Sequence, residues 1–213
     1  MIPTLKQTYV ADDYANPLIL AFEGLRKKYN DVAKQAKVVA SAFVGAVNSN
    51  NKRRFDTAMQ NAVGIDISSI IQDEGIEDVL RTSIGENVSL IQSIPDKYLK
   101  DVETAIFSGT QGGQGVSSLI DRVQEIGNVT RNRAKLIARD QTSKLNGSLN
   151  RIRQENLGVE EYVWVTAGDG SRVRATHRAN GGKKFRWDAP PASTGHPGHD
   201  VNCRCVARAI IEF

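Results

Sequence analysis

The sequence predicts an α+β protein, with a mainly helical N-terminal part and a small mixed module at the C-terminal end. Helical spacing of apolar residues dominates up to about residue 157, whereas EEYVWVT at 160–166 is rich in β-branched and aromatic residues, as strands are. Glycine and proline then cluster in the segment 181–200. We therefore predict a helical region at 1–128 that makes protein contacts, a long connecting helix at 129–158 and a small α+β module at 159–213.

The composition is that of an ordinary folded protein. Of the 213 residues, 40% are hydrophobic and 24% are charged, which excludes collagen-like and wholly disordered classes. No apolar run approaches the roughly 18 residues that a membrane-spanning helix needs. The N-terminus lacks the pattern of a secretory signal, and the two cysteines do not form a disulfide framework. We therefore expect a protein without membrane contact that is made in a reducing cytoplasm.

The first predicted helix begins at Asn16-Pro17, because proline at the first helical position loses no hydrogen bond. Its apolar residues recur every three or four positions and form a seam for a helical hairpin: Leu25, Tyr29, Val32, Ala36, Val39, Phe43 and Ala46. The sequence NSNN at 48–51 predicts a polar break. A short helix at 52–63 should follow it and end at Gly64.

The next predicted helix carries apolar residues from Val79 to Ile91 and ends at Pro95, because proline lacks the backbone N–H of a helix interior. Pro95 then opens another helix that runs through Phe107. The glycine-rich stretch GTQGGQG at 109–115 predicts a flexible loop.

Two more helices are predicted before the module. A short one at 116–126 should end at Gly127, and a long one at 130–157 should end at Gly158. The long helix has an apolar stripe made of Ala134, Ile137, Ala138, Leu145, Leu149 and Ile152. The cations Lys135, Arg139 and Arg153 lie on a different face of this helix.

Positive charge is concentrated in the C-terminal part. Residues 1–128 carry 13 Lys and Arg against 16 Asp and Glu, whereas residues 129–213 carry 15 against 8. Such an excess indicates an anionic partner, and double-stranded DNA is the first candidate. A solvated surface of mixed charge explains the excess equally well. The candidate phosphate-contacting residues are Lys135, Arg139, Arg153, Arg172, Arg174, Lys183 and Lys184.

The module combines the strand at 160–166, an irregular loop at 181–200 and a final strand at 203–211. Part of its core should come from Val163, Val165, Phe185, Trp187, Val206 and Ile210. A unit of this size buries little apolar surface and often needs a disulfide or a bound metal for stability.

All three histidines and both cysteines lie between residues 177 and 205. Residues i and i+2 of a strand face the same side, so both thiols should point one way. With His177 and His196, Cys203 and Cys205 would then form a closed, structural zinc site, and His199 or Asp200 would be substitute ligands. Alternatively, the thiols stay free of metal and packing against the 130–157 helix supplies the missing core.

The same cluster also allows enzymatic alternatives. A Cys–His nucleophile pair is one of them. The more specific alternative is a metal-dependent nuclease. It would need an open coordination position on the metal and a positioned base beside the basic residues. We expect no enzyme, because neither alternative has a local sequence motif.

Several motifs together resemble those of the phage Mu F-like minor head proteins, also called the phage head morphogenesis family. The first is RAKLIAR at 133–139. The second runs from Trp164 to His177 and includes Asp169, Arg172, Val173 and Arg174, and the third is the CRC triplet at 203–205. The segment HPGHDVNCRC at 196–205 contains two histidines, and the resemblance assigns the family's histidine position to His196 and not to His199.

The resemblance implies a virion component without an established catalytic activity. Members of this family are minor capsid proteins that associate with the portal region and are needed for head assembly or genome delivery, and some are linked with DNA binding. The expected partners are therefore the portal or major capsid protein and, without sequence preference, double-stranded DNA. The alternative from the residues is a metal-dependent nuclease or another DNA-binding module.

Overall fold

The computed structural model describes residues 15–64, 73–111, 116–168 and 173–211. Three long helices come first: α1 at Ala15–Val63, α2 at Glu77–Gln111 and α3 at Val116–Asn156. They are followed by β1 at Glu161–Val165, the short helix α4 at Ala175–Asn180, β2 at Lys184–Arg186 and β3 at Val206–Ala209. The predicted α+β class is therefore confirmed. No helix in these ranges is long and apolar enough to cross a membrane.

The three long helices are continuous where breaks were predicted, so those predictions were wrong. Asn51, in the expected polar break, is buried within α1, and its amide donates to the side-chain oxygens of Asn146 and Asn150 at 2.9 and 3.0 Å. Pro95 lies inside α2 and Gly127 inside α3. At Asn51, these tertiary hydrogen bonds outweigh the local preference for a helix end.

The helix ends at two glycines agree with the prediction. Gly64 follows α1 with φ +72°, and Gly158 follows α3 with φ +73°. Glycine adopts this left-handed conformation without the steric cost of a side chain. The predicted loop at 109–115 overlaps the end of α2 at Gln111, and residues 112–115 lie outside the described part.

The chain divides into two compact units, which we call unit 1 (residues 1–40 and 86–137) and unit 2 (residues 41–85 and 138–213). In unit 1, Tyr98, Val102 and Val123 are buried and pack against Tyr29 and Ile126. Ala36 and Ala40 of α1 are also buried in this unit, whereas Val39 of the predicted seam is 51% exposed. Ala36 of the predicted seam is thus buried, whereas Val39 is not.

Unit 2 contains the module together with parts of the long helices. Val44, Ile76, Leu145 and Leu149 form one of its buried clusters. In another, Phe55 and Met59 pack against Leu157, Ala209 and Ile211, which joins the end of the sheet to α1. The module is therefore not an isolated fold, because helices that precede it supply part of its core.

The sheet has the strand order β2-β1-β3, and both pairs are antiparallel. Its buried cluster consists of Tyr162, Trp164, Trp187, Cys203, Cys205 and Ala207, with Phe185 packed against it. The predicted core residues Val163 and Val165 are only half-buried and Val206 is exposed, so the predicted face of β1 was wrong. The covered face takes the aromatic residues because they bury more apolar area than valine.

Candidate metal centre and basic cleft

Three buried side chains meet beside the sheet. His177 comes from α4, and Cys203 and Cys205 come from the segment that precedes β3. The Nδ1 atom of His177 lies 3.5 Å from the sulfur of Cys203 and 3.6 Å from that of Cys205. One ligand atom from each residue lies within 4.8 Å of the others, so the group is compact enough to hold a metal ion.

Hydrogen bonds orient the histidine and one thiol. The Nε2 atom of His177 lies 2.8 Å from a carboxylate oxygen of Asp200. Since a carboxylate accepts, Nε2 carries the proton and the lone pair of Nδ1 faces the two sulfurs. The sulfur of Cys203 accepts the backbone N–H groups of Gly198 and Cys205, each at 3.4 Å. These contacts prepare Cys203 to carry negative charge.

The two cysteines titrate as a pair. The hydrogen bond from Cys205, more than any other contact, lowers the pKa of Cys203 to about 5, although burial opposes this shift. The same hydrogen bond, with burial, raises the pKa of Cys205 above its usual range. Without metal, the pair therefore holds one proton between two sulfurs at neutral pH.

His196 lies elsewhere, although the sequence placed it among the ligands. Its Nδ1 atom lies 2.9 Å from the hydroxyl of Tyr162, and its ring packs against Trp187 with centroids 5.0 Å apart. Burial lowers its pKa, which favours the neutral ring. His199 is exposed, with its ring 5.6 Å from that of His196. The structure thus brings together three of the four predicted ligands.

The two cysteines face the same side for a different reason than the one predicted, because residues 203–205 precede β3 and form no strand. A hydrogen bond to α3 holds the segment that carries the two cysteines. The backbone N–H of Asn202 donates to Asp140 at 2.6 Å, and Asn202 adopts a left-handed φ of 57°. Sequence analysis missed Asp140, since nothing in its surroundings distinguishes it from an ordinary helix carboxylate.

A cleft of about 460 Å³ opens beside the cluster. It is lined by the three cluster residues and by Arg139, Arg174 and Arg204. Arg174 also lies 3.6 Å from Asp200 and donates to the backbone oxygen of Val201 at 2.6 Å. The cleft therefore combines thiol and imidazole groups with positive charge.

The profile of the family described as "Phage Mu protein F like protein" matches residues 100–208, which is about half of the chain and includes the whole cluster. This chain belongs to the phage Mu protein F-like family. The resemblance inferred from the motifs is confirmed.

Two relatives of this Mu F-like chain come from Haemophilus influenzae. An uncharacterized protein is 35% identical over 184 residues, which are 86% of this chain and 41% of the relative. The "Mu-like prophage FluMu F protein" is 38% identical over 61 residues, which are 29% of this chain and 15% of the relative. The chain thus spans less than half of the length of either relative. No solved structure matches it significantly.

The predicted phosphate-contacting residues of the Mu F-like chain fall into different environments. Arg139, Arg174, Lys183 and Lys184 are exposed on unit 2, and Lys135 is exposed on unit 1. Arg172 lies outside the described residues. Arg153 has 0% exposed surface and is paired with Glu74, so its assignment to DNA was wrong. A fully buried guanidinium cannot reach a phosphate.

Proposed function

We propose that this chain is a structural protein of a phage head, incorporated into the virion in contact with the portal or the major capsid protein. Membership in the phage Mu protein F-like family carries this proposal. The match begins within α2 and ends within β3, and it therefore includes all of α3 and the whole His/Cys cluster. The role is proposed as structural, not enzymatic.

The helices of unit 1 support a role in protein contacts. Among the described residues of the predicted contact region 1–128, the large apolar side chains of Val38 and Val39 are exposed next to each other in α1. Contiguous exposed apolar surface is typical of sites that bind another protein. We propose that residues 1–128 provide the contact with the portal or capsid.

A second candidate function is contact with packaged DNA, and the exposed cations of unit 2 favour it. Arg139 and Arg174 line the cleft, and Lys183 and Lys184 are exposed at β2. Cations of this kind neutralise phosphates without reading the base sequence. We propose weak DNA binding that depends on salt.

Genetic removal from the parent phage tests the main proposal. The gene is disrupted, particles are purified after induction, and their protein content and infectivity are measured. We expect defective heads or non-infectious particles, with rescue by the intact gene and the chain detected in wild-type virions. Normal, infectious particles without the chain would contradict the proposal, and divalent-ion-dependent cleavage of DNA by the purified chain would favour the nuclease instead.

A matched pair of variants tests the contact. Val38→Asp with Val39→Asp should reduce incorporation of the chain into particles, because it introduces charge into an apolar surface. Lys34→Glu changes the charge of an exposed residue of the same helix and should leave incorporation unchanged. Equal incorporation of all variants would exclude this part of α1 as the contact.

A further inference from the structure

We propose that His177, Cys203 and Cys205 bind one zinc ion, and that its fourth coordination position opens into the cleft and takes an anion from solution. This differs from the closed four-ligand site expected from the sequence. It is also independent of the role of the chain in the phage head, since it rests on the ligand geometry alone.

The distances fit a tetrahedral zinc site. With Zn–S bonds of about 2.3 Å and a Zn–N bond of about 2.05 Å, a tetrahedron separates a sulfur from a nitrogen ligand by roughly 3.5 Å. The two Nδ1-to-sulfur distances are 3.5 and 3.6 Å. Thiolate and imidazole ligands together favour zinc over magnesium or calcium, which prefer oxygen.

The surrounding hydrogen bonds are those of a metal site. Asp200 binds the Nε2 atom of His177, the arrangement that commonly fixes a zinc-binding imidazole. Two backbone N–H groups point at the sulfur of Cys203 and support its charged form. Hydrogen bonds therefore orient His177 and support the charged form of Cys203.

A cysteine nucleophile explains this arrangement less well. Cys203, His177 and Asp200 are also placed as a nucleophile, a base and an orienting carboxylate. However, a nucleophile needs one thiol, whereas here two sulfurs approach the same nitrogen atom at nearly equal distances. Three converging soft ligands are the expected surroundings of an ion.

The fourth position is open in the part of the chain that the structure describes. There, no other His, Cys, Asp or Glu joins the three ligands. The three ligands themselves line the cleft, together with Arg139, Arg174 and Arg204. Zinc with two thiolates and a neutral imidazole carries no net charge, so an added anion makes the site negative. The arginines then favour that anion by charge attraction.

Metal content is the first measurement. The 213-residue chain, purified without chelator, should contain one zinc per chain by mass spectrometry of the metal. His177→Gln and Cys205→Ser should abolish zinc binding, whereas His199→Ala changes an exposed neighbouring histidine and should leave the content unchanged. Asp200→Asn should weaken affinity by about 10- to 100-fold, because it loosens the orientation of His177.

The open position is tested with cobalt(II) in place of zinc. We expect the visible absorption of a tetrahedral cobalt site with thiolate ligands, and a change of that spectrum with azide but not with perchlorate at equal ionic strength. A spectrum that azide leaves unchanged would show a fourth protein ligand and would overturn the open position.

Two controls separate loss of ligands from loss of folding. The helical circular dichroism of each variant shows whether it is folded. If a variant does not fold, zinc is removed from the wild-type chain with a chelator and titrated back against a coloured competitor. A folded wild-type chain that contains no zinc and takes up none would overturn the proposal, and alkylation of Cys203 unaffected by added zinc would favour the nucleophile.

Discussion

Arg153 of α3 donates to both carboxylate oxygens of Glu74, at 3.2 and 2.8 Å, from a position without exposed surface. The same guanidinium donates to the side-chain oxygens of Asn48 and Asn51 of α1. One side chain thus connects three segments of unit 2 that are far apart in sequence. Its removal would leave buried polar groups without partners.

Replacing Arg153 with methionine should destabilise unit 2 strongly. The substitution keeps an apolar stem but leaves Lys52, 3.4 Å away, as the remaining ion-pair partner of the Glu74 carboxylate. Breaking a buried ion pair costs about 3–5 kcal/mol when the remaining charge is left uncompensated, so we expect a loss toward the lower end of this range. The measurement is the free energy of unfolding in urea, followed by circular dichroism.

Arg151→Met is the matched control, since Arg151 pairs with Glu155 on the surface of the same helix. An exposed i,i+4 pair contributes only about 0.3–0.5 kcal/mol. The double variant Arg153→Met/Glu74→Met should recover part of the lost stability, because it also removes the carboxylate that has lost its main hydrogen-bond partner. Similar losses for Arg151→Met and Arg153→Met would show that the buried pair is unimportant.

The pH dependence of stability should report on Glu74. Burial alone would raise the pKa of this carboxyl, but its hydrogen bonds and charge interactions with Arg153 and Lys52 outweigh burial and hold the pKa below its ordinary value of 4.5. The native state therefore binds fewer protons here than the unfolded state. The stabilisation is complete above about pH 4.5 and is lost as the pH falls through the native pKa.

Glu74→Gln removes that contribution. The difference in unfolding free energy between the wild type and Glu74→Gln should be largest near neutral pH and shrink as the pH falls below about 4.5. Asp101→Asn serves as the control, because Asp101 pairs with Lys97 in an i,i+4 pair on the surface of α2. A wild-type-to-variant difference that does not change with pH would exclude Glu74 as the source.

Helix periodicity predicted most of the helical part, but the breaks at Asn51, Pro95 and Gly127 were wrong. Each of these residues favours a helix end when only its neighbours in sequence are considered. Asn51 remains helical because Asn146, Asn150 and Arg153 satisfy its amide from about 100 residues away. Such long-range partners leave no local pattern.

The candidate site was likewise predicted only in part from the sequence. The rarity of His and Cys in this chain, and their concentration near the C-terminus, correctly pointed to a cluster. The choice between His177 and His196 depends on which ring the fold turns toward the thiols. His196 instead faces Tyr162 and Trp187 in the aromatic cluster, and only the sheet arrangement determines this.

Two glycines of α3 should respond to alanine in opposite directions. A Cβ atom at Gly147 would lie 2.7 Å from the backbone oxygen of Pro197, where the loop of the module touches the helix. Gly147→Ala should therefore cost about 1–3 kcal/mol through overpacking. At Gly127 a Cβ meets nothing within 4 Å, so Gly127→Ala should stabilise the helix by about 0.5–1 kcal/mol.

Thermal unfolding of both variants measures the two effects under one condition. A lower midpoint for Gly147→Ala and a higher one for Gly127→Ala is the expected result. If both variants were more stable than the wild type, helix propensity would dominate. The loop would then not approach α3 as closely as the structure shows.

DNA binding should depend on the exposed cations of unit 2 and on salt. The affinity for a short DNA duplex, measured by fluorescence anisotropy, is expected near the non-specific range of about 10⁻⁴ to 10⁻⁶ M. Each phosphate contact adds roughly one unit to the slope of log affinity against log salt, because counterions are released. Lys183→Gln with Lys184→Gln should therefore lower that slope by about two. Lys34→Gln, which changes an exposed cation of unit 1, should leave it unchanged, and binding without salt dependence would contradict phosphate contact by either unit.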